Sequence, residues 1–329
     1  MEVPEQRPED LRLVLVIKPP PILTLFGEKL ISTKFQLLKA WESALPLDQF
    51  LITHAGSVRA VLCSGASPIT TDVLQLLPSL QLVVTASAGL NHVDLPACRQ
   101  RGIAVTNART VLVDDGADAA VGLLVDVLRK ISAADRFVRQ QGLWPASGDY
   151  PLGSKLGCRR VGIVGLGGIG SAVAKRLEAF GCTIAYNSRK KKPHVPYPFY
   201  PNVLQLAENS DVLIICCGLN AETRHMINRE VLLALGKEGV LINIARGAIV
   251  DEKEMVQSLL AREIAGAGLD VFEKEPDVPK ELFALDNVVL SPHAAVFTPE
   301  SFLGLCELVV GNLEAFFSNK PLLSPVLDE

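Results

Sequence analysis

Short aliphatic runs alternate with longer amphipathic stretches along the chain, a pattern typical of β-strands that alternate with α-helices. Four such runs in the first third predict strands at 13–17, 59–63, 80–85 and 102–106. An amphipathic stretch around 35–41 is assigned to none of them. Because consecutive strands are separated by helix-length segments, the pattern predicts a parallel sheet.

A long helical pattern, about Asp114 to Gln141, separates this region from a second series of strands. The second series lies at 160–164, 183–186, 212–215, 240–244, 267–271 and 288–290. Six strands are the number in a dinucleotide-binding sheet. The last helical pattern, about Pro299 to Phe317, is too short to form a domain, so we expect it to pack on the first one.

The order of elements predicts an α/β fold with two doubly wound parallel-sheet domains. The first domain comprises residues 1–113 and 293–329 and is predicted to be flavodoxin-like. The second, residues 114–292, is predicted to be a Rossmann domain inserted into the first.

Composition narrows the class of protein. The 329 residues carry 36 acidic and 32 basic side chains, a net charge of −4, which does not favour a nucleic-acid or anionic-membrane partner. A hydrophobic fraction of 49% is enough for sizeable cores and argues against disorder. No apolar run approaches the roughly 18 residues of a membrane-spanning helix.

The cysteines and the first ten residues bear on the subcellular compartment of the protein. The seven cysteines are odd in number and lack paired C-x-x-C spacing, which predicts free thiols in a reducing compartment. They do not cluster with histidines, so no metal site is predicted. The acidic first ten residues lack the features of a signal or transit peptide, so we expect a cytoplasmic protein.

A glycine-rich segment between a predicted strand and a helix carries the strongest local motif. Gly165, Gly167 and Gly170 form G-x-G-x-x-G, in which glycines permit a tight turn, close approach to a pyrophosphate and close helix packing. We therefore predict dinucleotide binding rather than an ordinary turn. The predicted contacts in this segment are Gly165, Leu166, Gly167, Gly168, Ile169 and Gly170.

The residues after the next strand indicate which dinucleotide binds. NAD-binding proteins usually place an acidic residue there, about 20 residues beyond the glycines. Ser188, Arg189 and Lys190 occupy this place and could bind a 2′-phosphate by charge-assisted hydrogen bonds. They predict a preference for NADP(H), with NAD(H) bound more weakly; a solvated basic loop or a nuclear-localisation patch is the alternative.

Several polar residues follow directly after predicted strands of the second domain. Arg246 and Asp270 lie at two such ends, and His293 follows the last strand. Glu273 and Glu275 lie shortly beyond Asp270. Because the carboxyl ends of parallel strands line the ligand crevice, this edge is the expected reaction site. The other histidines lie in unremarkable polar settings; they are His54, His92, His194 and His225.

These segments, in this order, resemble the D-isomer-specific 2-hydroxyacid dehydrogenases, and most of all the plant-type glyoxylate/hydroxypyruvate reductases, over essentially the whole chain. The resemblance implies that Arg246 binds a substrate carboxylate and that Glu275 pairs with the proton donor His293. Asp270 and the backbone near Ile244 would meet the nicotinamide. Glu273, which no proline follows, is the less favoured partner for His293, and the alternative for it is a surface charge.

The resemblance also implies a substrate loop, a partner and a reaction. Ala88 and Gly89 would bind the substrate carboxylate through their amides. Gly142–Trp144 would belong to the arm of a homodimer, although Trp144 could also be a core-filling aromatic. The implied reaction is NADPH-dependent reduction of a small 2-oxo acid, with a place in photorespiration. Gly168 and Val113 depart from the family pattern, which has arginine and threonine there.

Two other functions stay open at this point. One is reduction of an aromatic 2-oxo acid such as hydroxyphenylpyruvate. The other is a nucleotide-sensing corepressor or scaffold on the same fold, which would have no need of the complete set Arg246, Glu275 and His293.

Overall fold

The computed structural model describes residues 12–24, 28–141 and 150–327, so Gly142–Trp144 lie outside the described residues. Contacts divide the chain into two units, residues 1–112 with 297–329, and residues 113–296. The second boundary falls four residues later than the predicted one. The reason is that the backbone N–H of His293 donates to the carbonyl of Asp270 at 2.7 Å, which ties this turn to the second unit.

The first unit contains one parallel sheet. Its strands are β1 (Arg12–Val16), β2 (Phe35–Lys39), β3 (Ala60–Cys63), β4 (Leu82–Thr85) and β5 (Ala104–Thr106). Their order across the sheet is β2-β1-β3-β4-β5, the order 2-1-3-4-5 of flavodoxin-like sheets, although the strand pattern predicted only four of these five strands. The helices are α1 (Glu28–Ser32), α2 (Leu47–His54), α3 (Thr71–Gln75), α4 (Leu95–Gln100) and, near the C-terminus, α11 (Pro299–Phe317).

Strand β2 lies in the amphipathic stretch that the pattern assigned to no strand. It is an edge strand of five residues, with Phe35 buried and Gln36 exposed, and it pairs only with β1. So short a half-buried segment does not distinguish a period of 2.0 residues from one of 3.6. Its pairing partner makes it a strand.

The second unit contains a six-stranded parallel sheet. Its strands are β6 (Arg160–Val164), β7 (Thr183–Asn187), β8 (Val212–Ile215), β9 (Val240–Asn243), β10 (Gly266–Leu269) and β11 (Val288–Leu290). Their order is β11-β10-β9-β8-β6-β7, and Phe199 forms a parallel bridge with Tyr186 of β7. With that bridge as the third position, the sheet has the Rossmann order 3-2-1-4-5-6 plus one strand. The order reverses between β6 and β8, where such sheets bind ligands.

The helices of the second unit cover both faces of this sheet. They are α5 (Val113–Arg129), α6 (Ile131–Gln141), α7 (Gly168–Ala179), α8 (Val203–Glu208), α9 (Arg229–Leu235) and α10 (Glu252–Leu260). Leu213 and Ile215 pack into one core, whereas Val212 and Ile214 pack into the other. Alternate strand residues are therefore buried on both faces, which holds the strand ends in place.

The long helix predicted from Asp114 to Gln141 is two helices, so that prediction is wrong in this respect. Lys130, between α5 and α6, has a φ of 56°, which lies outside the right-handed helical region. The N–H of Ser132 donates to Oδ1 of Asp126 at 2.8 Å, and the side chain therefore replaces a helical carbonyl. Among the described helices, none has the length and apolar character needed to cross a bilayer.

Candidate active site

The glycine-rich turn between β6 and α7 has the geometry of a phosphate-binding loop. Gly165 has a φ of 96°, and a Cβ there would lie 2.6 Å from the backbone of Cys217. A Cβ on Gly170 would lie 2.2 Å from the carbonyl oxygen of Gly165. Gly167 is the N-cap of α7 and has no side chain to cover the first turn. These residues fit a pyrophosphate at the helix N-terminus, where backbone N–H groups and the helix dipole favour an anion.

The other predicted residues of this loop differ in which of their atoms a cofactor could contact. Leu166 is only 2% exposed and its side chain packs in the core, so it could meet a cofactor only through its backbone. Ile169 packs close to α5, where a Cβ on Gly116 would meet it at 3.3 Å. A Cβ on Gly168 would lie 3.0 Å from Cγ2 of Val113, so the two departures from the family pattern are neighbours.

The predicted 2′-phosphate segment lies beside the glycine loop. The N–H of Gly165 donates to the carbonyl of Asn187, the last residue of β7, at 2.9 Å. The Ser188 hydroxyl donates to the carbonyl of Lys190 at 2.7 Å and closes a small turn. Arg189 and Lys190 are exposed. The turn therefore presents two cations next to the loop that fits the pyrophosphate.

Two thiols near the glycine loop, those of Cys216 and Cys217, do not supply a nucleophile. Burial raises the pKa of Cys217 to about 11, and burial raises the pKa of Cys216 as well. Because only a thiolate is an effective nucleophile, both groups are inert near neutral pH. They act as small apolar side chains at the end of β8.

His293 and Glu275 form the expected pair. Nδ1 of His293 lies 2.7 Å from Oε2 of Glu275, and the Phe272 N–H donates to Oε1 of Glu275 at 3.1 Å. Burial raises the pKa of Glu275, but hydrogen bonds from His293 and Phe272, with the charges of His293 and Arg246, outweigh it, so the pKa falls below its ordinary value. Glu275 is therefore a carboxylate that orients the ring and leaves Nε2 for another partner.

Arg246 follows β9 and belongs to the same electrostatic group. Its Nη1 donates to the carbonyl of Ala245 at 2.6 Å. Burial lowers the pKa of Arg246, and the charge of Glu275 opposes that change. Guanidinium stays charged in proteins and matches a carboxylate in shape, so Arg246 can anchor an anionic substrate. Ile244, two residues before it, is buried.

The carboxylate of Asp270 accepts hydrogen bonds from neighbouring groups of the protein. The residue is 1% exposed, and its carboxylate accepts from the Ser291 hydroxyl at 2.5 Å, from Ala294 N–H at 2.8 Å and from Ala295 N–H at 3.1 Å. Its carbonyl accepts from the N–H of His293. Asp270 therefore holds the turn that carries His293. Its expected contact with a nicotinamide stays a prediction.

Glu273 is neither the partner of His293 nor a plain surface charge. Its side chain is 19% exposed, and Oε1 lies 2.9 Å from Nε2 of His225 and 2.8 Å from Nη2 of Arg224. His225 is therefore not in an unremarkable setting either. No local pattern could have found this pair, because 48 residues separate its members.

Ala88 and Gly89 lie in the first unit, beyond the end of β4. Asn107 donates through Nδ2 to the carbonyl of Ala88 at 3.3 Å, and Ala108 N–H donates to the carbonyl of Ser87 at 3.0 Å. These bonds fix the loop from one side through its carbonyls. The predicted role of its amides stays a prediction.

Comparison with known proteins supplies the family. Residues 121–295 match the NAD binding domain of the D-isomer specific 2-hydroxyacid dehydrogenases. The glyoxylate/hydroxypyruvate reductase HPR3 of Arabidopsis thaliana is 55% identical over 95% of this chain and 97% of its own length. The chain belongs to the D-isomer-specific 2-hydroxyacid dehydrogenase family. The family resemblance of the sequence is thereby confirmed.

Two further similar proteins carry names that bear on substrate and cofactor. The hydroxyphenylpyruvate reductase of Plectranthus scutellarioides is 48% identical over 93% of this chain and 96% of its own length. A crystal structure of the NADPH-dependent glyoxylate/hydroxypyruvate reductase of Sinorhizobium meliloti, in complex with NADP and malonate, matches with a TM-score of 0.87 and 38% identity. It covers 96% of each chain. The two-domain α/β fold is confirmed by this likeness.

Proposed function

We propose that this chain is an NADPH-preferring reductase of small 2-oxo acids, which converts glyoxylate to glycolate and hydroxypyruvate to D-glycerate. The single observation that carries the proposal is the set Arg246, Glu275 and His293 at the strand ends of one sheet. Relatives named glyoxylate/hydroxypyruvate reductases, at 55% and 47% identity, support the substrate class.

A reduced nicotinamide dinucleotide, with its pyrophosphate held by the loop around Gly165 and Gly167, would supply the hydride that reduces the substrate carbonyl. Arg246 binds the substrate carboxylate and orients the carbonyl group. His293 donates the proton on Nε2 to the developing alkoxide, because Nδ1 is held by Glu275. Glu275 stabilises the imidazolium form before the transfer and keeps the ring in place afterwards.

The preference for NADPH rests on the turn after β7. No acidic residue lies between Thr183 and Glu208, so nothing in that stretch repels a 2′-phosphate. Arg189→Gln is expected to raise the KM for NADPH about tenfold and leave the KM for NADH unchanged. Lys237→Gln, an equal loss of charge before β9 at the opposite end of the strands, is the control. Equal or better use of NADH by the wild-type enzyme would contradict the preference.

A substrate panel tests the reaction itself. NADPH oxidation is followed at 340 nm with glyoxylate, hydroxypyruvate, pyruvate and hydroxyphenylpyruvate as substrates. We expect the highest kcat/KM with one of the first two. Turnover of none of the four above a blank without enzyme would contradict the proposed function.

Reduction of hydroxyphenylpyruvate is the second candidate, because the relative from Plectranthus scutellarioides carries that name at 48% identity. The same panel separates the two. A kcat/KM for hydroxyphenylpyruvate above that for glyoxylate and hydroxypyruvate would assign the aromatic substrate.

The remaining features of the family resemblance are proposals too. We propose a cytoplasmic homodimer, in keeping with cysteines that are free among the described residues, and a role in photorespiration suggested by the likeness to plant enzymes. Sedimentation at several protein concentrations tests the dimer.

A further inference from the structure

We propose that His225 and Glu273 form a positioning pair that holds Arg246 and Glu275 in the arrangement that the reaction needs. The inference rests on the proposed function, and it concerns two segments of the second unit. The arginine segment is residues 245–250, and the glutamate segment is residues 272–276.

The backbone around His225 lies along the arginine segment. The N–H of His225 donates to the carbonyl of Ala248 at 2.9 Å, and the N–H of Ile227 donates to the carbonyl of Ile249 at 3.1 Å. Ile227 also forms a parallel bridge with Val250. Any shift of the His225 backbone would therefore move the arginine segment.

The ring of His225 contacts the glutamate segment. Its Nε2 lies 2.9 Å from Oε1 of Glu273, which also accepts from Arg224 at 2.8 Å. The N–H of Glu273 donates to Oε2 of Glu252 at 2.9 Å, so both the backbone and the side chain of this residue are held. Glu275 follows only two positions later, so these contacts also restrict the position of its backbone.

The two segments also touch directly. A Cβ on Gly247 would lie 1.9 Å from the carbonyl carbon of Phe272, so the backbones are in close contact and only glycine fits. Such contact prevents a closer approach of the segments but does not prevent one from sliding along the other. The bond between His225 and Glu273 connects the segments at a second point and opposes sliding.

The conformation of His225 suggests a pair of variants that separates positioning from simple stability. Its φ of 50° lies in the left-handed region, which asparagine tolerates better than most residues. The amide of asparagine is too short to reach Glu273, whereas Nε2 of glutamine can occupy the place of the imidazole Nε2. If His225 mattered only for stability, His225→Asn would therefore be the milder substitution. If His225 positions Glu273, His225→Gln would be the milder one.

Steady-state kinetics with glyoxylate and NADPH test the pair. We expect His225→Asn to lower kcat about 10- to 100-fold and to raise the KM for glyoxylate. Both constants should change because Arg246, which binds the substrate, and Glu275, which holds the proton donor, would be displaced together. His225→Gln should stay within threefold of wild type, and Kd for NADPH should not change in either variant. His194→Asn, at another left-handed histidine with a φ of 63°, is the matched control. Wild-type kcat and KM in His225→Asn would overturn the inference.

A measurement without turnover keeps this test separate from that of the proposed function. Proton NMR at low temperature should show a low-field imidazole N–H signal for the bond between His293 and Glu275, assigned by its loss in His293→Asn. We expect the signal to persist in His225→Gln and to vanish in His225→Asn. Persistence in both variants would overturn the inference even if the wild-type protein reduced no 2-oxo acid.

Discussion

Two histidine–glutamate pairs lie in the second unit, and their glutamates are only two positions apart. The pair His293–Glu275 has an Nδ1–Oε2 distance of 2.7 Å, and the side chains are 46% and 36% exposed. The pair His225–Glu273 has an Nε2–Oε1 distance of 2.9 Å, and the side chains are 36% and 19% exposed. Nearly equal distances thus occur in different surroundings.

The surroundings decide what each pair can do. Glu273 also binds Arg224 and is held through its backbone by Glu252. Nδ1 of His225 lies 3.9 Å from Oδ2 of Asp251, so both ring nitrogens of His225 face carboxylates of the protein. His293 is held through one ring nitrogen and is nearly half exposed, so its other nitrogen can exchange a proton with a bound molecule. A short hydrogen bond therefore does not by itself identify a reacting group. What identifies the reacting histidine is a ring nitrogen that is open to a bound molecule.

The largest expected effect comes from removing the exposed imidazole. His293→Asn should lower kcat about 10³-fold, because general acid catalysis contributes 10² to 10⁴ in rate, and should change the KM for glyoxylate little. Steady-state kinetics with NADPH measure both constants. A kcat within tenfold of wild type would mean that His293 is not the proton donor and that the comparison of the two pairs has no catalytic meaning.

The two glutamates give the next contrast. Glu275→Gln should lower kcat about 10²-fold, since a neutral amide cannot stabilise the imidazolium. Glu273→Gln should lower kcat about tenfold or less, because the amide can still bond to His225. The same assay measures both variants, and Tm values check that both fold. Equal losses in the two variants would remove the distinction between a reacting pair and a positioning pair.

The smallest effect concerns acid stability. The pKa of Glu275 lies below its ordinary value of 4.5, so its contribution to folding is present above that value and is lost as pH falls through the lowered pKa. Urea unfolding at pH 7 and pH 4 should therefore show a smaller loss of stability on acidification in Glu275→Gln than in wild type. An unchanged loss would show that the His293–Glu275 contact does not persist in solution.

The sheet edge that carries the reacting pair could be predicted from sequence, because both members lie shortly beyond parallel strands. The choice of Glu275 as the partner of His293 came from the family resemblance. Strands at 267–271 and 288–290 bring Glu275 and His293 to one edge whatever the details of packing. The glycine motif could also be predicted from sequence, since a side chain at Gly165 or Gly170 would collide with nearby backbone atoms. Such features depend on short segments and on the general geometry of parallel sheets.

The positioning pair could not be predicted in this way. His225 reaches Glu273 because its own backbone pairs with residues 248–250, a contact that no periodicity encodes. The break at Lys130 was missed for a similar reason, because it depends on a side chain of α5 bonding to the first turn of α6. Residues that act through tertiary contacts need the structure.

The way in which Asp270 holds the His293 turn has a consequence for protein engineering. Its carboxylate binds Ala294 and Ala295 through their main-chain N–H groups, which every residue except proline provides. The side chain at position 294 could therefore be exchanged while the anchor of the proton donor stays intact. Asp270 itself offers no such freedom, since its loss would leave two N–H groups and a hydroxyl without their acceptor.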